Sequence, residues 1–150
     1  MPLTLPPGAF TVHDKIRFSD CDPAGIVFYP TYFARISDLF EDWMEGSLEL
    51  SFQKRLVENQ FSFPTVHIET DFKAVRKQGE RIGLTLILTH VGNTSIRYTV
   101  VAHDKDVEIF RARIVAVMMS KETSRPVALP PDIRRKFEAY REICAGWRED

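Results

Sequence analysis

Asp20 and Asp22 flank a cysteine in the run Asp20-Cys21-Asp22-Pro23-Ala24-Gly25-Ile26-Val27-Phe28-Tyr29-Pro30. A carboxylate can attack an activated carbonyl directly or take a proton from water, so either aspartate could act as nucleophile or general base. The residues that follow bend the chain. Pro23 fixes its own φ, holds Asp22 in extended geometry and has no N–H to donate. Gly25 permits a turn that a side chain would obstruct. Helical periodicity begins near Tyr32, so unpaired N–H groups with partial positive charge come directly after the loop. Such groups suit an anion or a developing oxyanion. A carboxylate, a bent backbone and a helix N-terminus in one short stretch are the parts of an acyl-transfer site.

Taken alone, Asp22 before Pro23 also reads as a turn initiator. Cys21 is a second conceivable nucleophile, but His13 precedes it along an expected strand, too far off to serve as its base. Cys21 therefore reads as a small side chain packed beneath the loop.

The elements that would position this loop are legible on either side of it. Val12, Ile16 and Phe18 alternate with polar residues, which predicts a first strand over Thr11 to Phe18. From Tyr32 to Glu45 the apolar residues Tyr32, Phe33, Ile36, Leu39, Phe40, Trp43 and Met44 recur at helical spacing. Arg35, Asp38, Glu41, Asp42 and Glu45 fall on the wet side. Gly46 is the expected stop, and a shorter helix is expected over Ser51 to Asn59. After Phe63-Pro64 the period changes to two. Strands are predicted over Val66 to Phe72, Arg81 to Val91, Ile96 to Ala102 and Val107 to Met119, with turns at Gly92-Asn93 and Asp104-Lys105-Asp106. Sequential strands on tight turns are antiparallel neighbours, and one aromatic-striped helix can cover a face of their sheet. The expected class is α+β.

The chain of 150 residues reads as a single domain, 1–150. Pro2, Pro6 and Pro7 suggest an extended N-terminal arm over 1–10. Pro131-Asp132 opens a C-terminal helix over 131–150 that carries Ile133, Phe137, Tyr140 and Ile143. A formal net charge of -1 offers no basic excess to hold a nucleic-acid backbone. No apolar run is long enough to span a membrane, and the N-terminus lacks the features of a signal peptide. Two cysteines, Cys21 and Cys144, are too few for a disulfide framework, so a cytoplasmic setting is expected. His13, His67, His90 and His103 show no metal-ligand spacing, and no metal is expected.

The run from Asp20 to Pro30, followed by Tyr32-Phe33, resembles the signature of the hot-dog-fold thioesterases of the 4-hydroxybenzoyl-CoA thioesterase family. The similarity extends loosely from about Thr11 to Asp132. It implies an antiparallel sheet wrapped around one long helix and hydrolysis of an acyl-CoA. Coenzyme A would be part of the substrate, with no separate cofactor. It also implies a homodimer or homotetramer with the site between subunits. Asp22 holds the place of the family's catalytic aspartate, with Asp20 as runner-up, and the backbone N–H of Tyr29 resembles the group that polarises the thioester carbonyl. Gly25, Val27, Phe28, Phe63 and Pro64 would line the acyl pocket. Ser37 stands where the 4-hydroxybenzoyl-specific members carry an acid. That departure leaves benzoyl, another aromatic acyl group or a short aliphatic chain open. Arg76, Lys77, Lys121 and Arg125 are the candidates for the coenzyme A phosphates; the turn Gly92-Asn93-Thr94-Ser95 lacks the family's basic residues.

Two other functions compete with this reading. Phe18-Ser19-Asp20-Cys21-Asp22 after an apolar strand has the look of a haloacid-dehalogenase-type phosphatase, but that chemistry wants Thr or Val where Ala24 stands, and a parallel sheet. A non-catalytic acyl-CoA-binding protein on the same fold would have no need of the carboxylate at Asp22. A hot-dog dehydratase would need a histidine at the active loop, which has none.

Overall fold

The computed structural model describes residues 2–149. In chain order the elements are β1 (Thr11–Lys15), α1 (Pro30–Asp42), β2 (Phe61–Ser62), β3 (Thr65–Phe72), β4 (Arg81–Val91), β5 (Ser95–Asp104), β6 (Val107–Val117), β7 (Met119–Ser120) and α2 (Pro131–Ile143). Five strands form an antiparallel sheet in the order β1-β4-β5-β6-β3, and β2 pairs with β7 in a small second sheet. With α1 laid across one face, this is the hot-dog layout.

The stripe on α1 explains the layout. Tyr32, Ile36, Leu39 and Phe40 are buried against a sheet face that includes Leu84, Leu86, Leu88, Tyr98, Val100, Phe110 and Ile114. The Tyr32 ring lies 4.7 Å from that of Phe110, and Phe40 lies 5.6 Å from Tyr98. Each large side chain fully removed from water contributes about 1.5–3 kcal/mol. Pro30 opens the helix, where its fixed φ fits and its missing N–H costs nothing.

The helix does not stop at Gly46. It widens into a π-helical turn, Trp43–Ser47, and Gly46 leaves room for the Phe10 ring, 3.6 Å from where a Cβ would sit. Trp43 is fully buried and stacks on Phe137 of α2 at 5.3 Å.

Three other expectations are corrected. The first strand ends at Lys15, and Phe18 is 83% exposed in a 3₁₀ turn, Phe18–Asp20. The Arg17 N–H donates to the Asp20 carboxylate there and turns the chain away. The helix expected over Ser51 to Asn59 is a single π-helical turn, Gln53–Val57, in which Leu56 alone is buried; one anchor is no stripe. The C-terminal helix covers 131–143, with Cys144 as its cap, and Gly146 and Trp147 follow as a tail. Met1 of the expected arm and Asp150 of the expected helix lie outside the described residues.

The two edges of the main sheet differ. β1 pairs only with Arg81 to Thr85 of β4, and α2 takes over from there. The Tyr140 hydroxyl donates to the Leu86 carbonyl at 2.6 Å and accepts the Phe10 N–H at 2.7 Å. Arg141 Nε donates to the Thr89 carbonyl at 3.3 Å. At the other edge, β3 has β6 on one side and no strand on the other among the described residues. All of β3 except Thr70 is exposed, including Val66, Ile68 and Phe72.

Candidate active site

The loop between the 3₁₀ turn and α1 is held by its own backbone. The Asp22 N–H donates to the Ile26 carbonyl at 3.0 Å, and the Gly25 N–H to the Asp22 carbonyl at 2.9 Å. Gly25 has φ +82°, the left-handed region that favours glycine. The Ala24 N–H donates to Asp22 Oδ1 at 2.8 Å, so one carboxylate oxygen caps the turn. The other, Oδ2, has no donor among the described residues. Outside the loop, the Phe28 N–H donates to the Asp20 carbonyl at 2.8 Å and the Val27 N–H to the Arg76 carbonyl at 3.0 Å, while Ile26 bridges to Lys77. Tyr29 then caps α1, and its N–H donates to no group among the described residues. One carboxylate oxygen and one helix-start N–H are thus left unengaged on a pinned loop.

Asp20, the runner-up aspartate, is engaged by an arginine and a backbone N–H. Its Oδ2 accepts from Arg35 Nη2 at 2.6 Å and from the Arg17 N–H at 2.7 Å. Arg35 also reaches Asp14 Oδ2 at 3.0 Å and the Lys15 carbonyl at 3.1 Å. One guanidinium on α1 therefore ties the end of β1 to the foot of the Asp22 loop. Burial disfavours the charge on Arg35, but its hydrogen bonds to Asp20 and Asp14 outweigh that and hold its pKa above the usual value. The Lys15 N–H, helped by Arg35, holds the Asp14 carboxyl below its usual range. The sequence reading put Arg35 on the wet side of the helix and missed this clamp. Acids at both ends of the strand-to-turn junction, facing an arginine in the next helix, were the available signal.

Arg76 also turns inward. It is buried, with Nη1 3.2 Å from Glu80 and 3.5 Å from Asp104. It braces the floor of the loop, while Lys77 is exposed beside it. Val27 is core, and Cys21 is partly buried and packed against that core. Phe28 and Tyr29 are exposed; the Tyr29 ring lies 6.2 Å from Phe33 and 6.0 Å from Phe72. These rings form an open apolar rim. Beneath it, burial pushes the Tyr32 phenol up to about 12.

The remaining candidates lie apart. Phe63 packs on Phe40 and Phe137, and Pro64 is exposed at the start of β3. Lys121 and Arg125 are exposed near the same end, where the Lys121 N–H donates to Gln60 and the Ser120 N–H to Arg125. The Asp22 loop sits at the other end, where β3 finishes and β4 begins. Eight residues of strand separate the two groups, roughly 25 Å. Ser37 is on the exposed side of α1. One chain therefore carries two groups of candidate residues at opposite ends of its open edge, and cavities of about 570 and 420 Å³ open elsewhere. Among the described residues no group of three or more His, Cys, Asp or Glu side chains could hold a metal, and no helix is long and apolar enough to cross a membrane.

A family model described as the thioesterase-like superfamily matches residues 16–137. A 1,4-dihydroxy-2-naphthoyl-CoA hydrolase of Nostoc punctiforme is 24% identical over 141 residues, 94% of this chain and 87% of that protein. Among solved structures, a 1,4-dihydroxy-2-naphthoyl-CoA thioesterase from Synechocystis superposes with a TM-score of 0.75 at 23% identity, over 87% of this chain and 96% of that one. A gentisyl-coenzyme A thioesterase superposes with a TM-score of 0.77 at 20% identity, over 85% of this chain and 99% of the other.

Proposed function

The chain belongs to the thioesterase-like superfamily, and from that premise we propose that it hydrolyses an aromatic acyl-CoA, of the dihydroxynaphthoyl or gentisyl kind, through Asp22. The observation that carries this reading is the pinned loop, which leaves Asp22 Oδ2 and the Tyr29 N–H without a partner among the described residues at the first turn of α1. The thioester carbonyl accepts from the Tyr29 N–H, which polarises it and stabilises the oxyanion; one such donor is typically worth about 10²–10³ in turnover. Asp22 then acts by one of two routes. As nucleophile, it forms a C–O bond to the carbonyl carbon while the C–S bond breaks and coenzyme A leaves as thiolate; water then hydrolyses the anhydride. As general base, it takes a proton from the water that attacks. Both end in a free acid and a free thiol.

The separation of the two groups supports a dimer. A two-fold axis beside β3 pairs its open edge with the same edge of a second copy, antiparallel, which sets the start of one β3 against the end of the other. Phe63, Pro64, Lys121 and Arg125 of the second copy then approach the Asp22 loop of the first. Aromatic rings at Phe28, Tyr29, Phe72 and Phe63 suit an aromatic acyl group, and Lys77, Lys121 and Arg125 suit phosphates. A tetramer would need a further face, and part of the sheet face opposite α1 is occupied by the chain's own termini.

The test is thiol release from 1,4-dihydroxy-2-naphthoyl-CoA, gentisyl-CoA and benzoyl-CoA by wild type and Asp22→Asn. The expected loss in kcat is about 10²–10⁴-fold with acyl-CoA binding retained. Wild type that binds these thioesters and releases no thiol would make the protein an acyl-CoA binder instead.

A further inference from the structure

The sheet face opposite α1 carries a cavity that the loop chemistry does not use. The N-terminal arm crosses this face and meets the C-terminal tail, and Trp147 Nε1 donates to the Thr4 carbonyl at 3.1 Å. Between arm, tail and sheet lies a space of about 420 Å³, walled by Leu3, Leu5, Pro6, Ile143 and Trp147, with Arg111 of β6 at its floor. That volume is within the range of small-molecule sites, and apolar walls with one fixed polar group are their usual make-up.

Arg111 decides what would fit. It is 5% exposed, a charge drawn almost wholly out of water. Its Nε donates to Glu108. Its Nη1 comes only within 3.7 Å of Glu149, which also pairs with Arg113. The Trp147 ring lies 5.4 Å from the guanidinium carbon, an attraction that supplies no acceptor for an N–H. The Nη2 group has no hydrogen-bond acceptor among the described residues. Two charged residues line the cavity, Arg111 and Arg148, and no carboxylate does. Arg148 spends Nη1 on the carbonyls of Ala145 and Trp147. A guanidinium that lines a cavity with donors left over selects a planar two-oxygen anion, and the walls select a compact apolar body.

We propose that this cavity binds an aromatic monocarboxylate, its carboxylate on the Nη groups of Arg111 and its ring against Trp147, Leu3 and Leu5. Thioester hydrolysis releases an acid of this chemical class, so the site could read the product without overlapping the Asp22 loop. The binding claim does not depend on the proposed activity.

Titration calorimetry with 2-naphthoate tests it, using 2-naphthalenemethanol as the neutral counterpart. The wild-type chain and Asp22→Asn should bind naphthoate alike, and the alcohol at least about tenfold more weakly, the scale of one lost charge-assisted hydrogen bond. Arg111→Gln should weaken naphthoate binding about tenfold or more. Because that variant also disturbs Glu108, Leu5→Trp serves as a second probe: it fills the cavity, leaves the ion pairs intact and should abolish binding. Loss in Asp22→Asn would move the ligand to the thioester loop and overturn the proposal. So would unchanged affinity in Leu5→Trp, equal binding of the alcohol, or no binding by wild type.

Discussion

The sheet has two edges, and the chain treats them in opposite ways. Along β4, where β1 stops short, α2 supplies a phenol and a guanidinium to the edge carbonyls of Leu86 and Thr89. Along β3 nothing is supplied among the described residues, and Val66 and Phe72 remain 58% and 50% exposed. Chains usually blunt a free edge with charge, proline or a covering element, because an open one invites pairing. The covered edge shows that this chain has the means to do so. The bare edge, with half of the candidate residues at each end, is the one through which the proposed site would be shared between copies.

The largest effect should come from charging the bare edge. Val66→Lys with Ile68→Lys sets like charges against each other across the two-fold axis. The variant should sediment as a folded monomer, and its turnover should fall at least about 10²-fold, as when a catalytic group is lost. A fully active monomer would break the contrast between the edges.

Next is the clamp behind the loop. Arg35→Met leaves Asp20 and Asp14 without their arginine, and losing these part-buried charged hydrogen bonds costs about 1–3 kcal/mol. Denaturant midpoints should fall accordingly, and kcat should fall with them, because the Asp20 carbonyl no longer holds the Phe28 N–H in place. Tyr140→Phe, at the covered edge, should cost stability alone: about 1–3 kcal/mol for the stranded Phe10 N–H and Leu86 carbonyl, with kcat unchanged. A drop in kcat there would blur the division of labour.

Much of this was written in the local pattern. Period-two alternation located β3 to β6, with β4 expected over Arg81 to Val91 and found there. The stripe from Tyr32 to Met44 located the central helix, because a helix that buries one face must repeat its apolar residues. What failed were features set by partners distant in sequence. The last turn before Gly46 winds as a π-helix rather than an α-helix, with Trp43 stacked on Phe137, and the helix ends at Ser47, one residue past the expected stop. Phe18 continues the apolar alternation yet points to water, because Asp20 captures the Arg17 N–H. At the candidate site, the loop residues were legible as a contiguous motif. Arg35 was not, and Arg76, expected at the coenzyme A phosphates, is buried on Glu80 and Asp104 instead: where an arginine points is open until the acids that receive it are known.

The central claim is that each site takes residues from two copies, and mixed dimers test it most directly. Asp22→Asn and the double variant Lys121→Glu, Arg125→Glu should each be nearly inactive in kcat/KM when pure. Unfolded and refolded together, half of the dimers carry one of each chain, and each of those has one undamaged site, so about a quarter of wild-type activity should return. If the mixture shows no more than the sum of its two parents, the site is complete within one chain and the account is wrong.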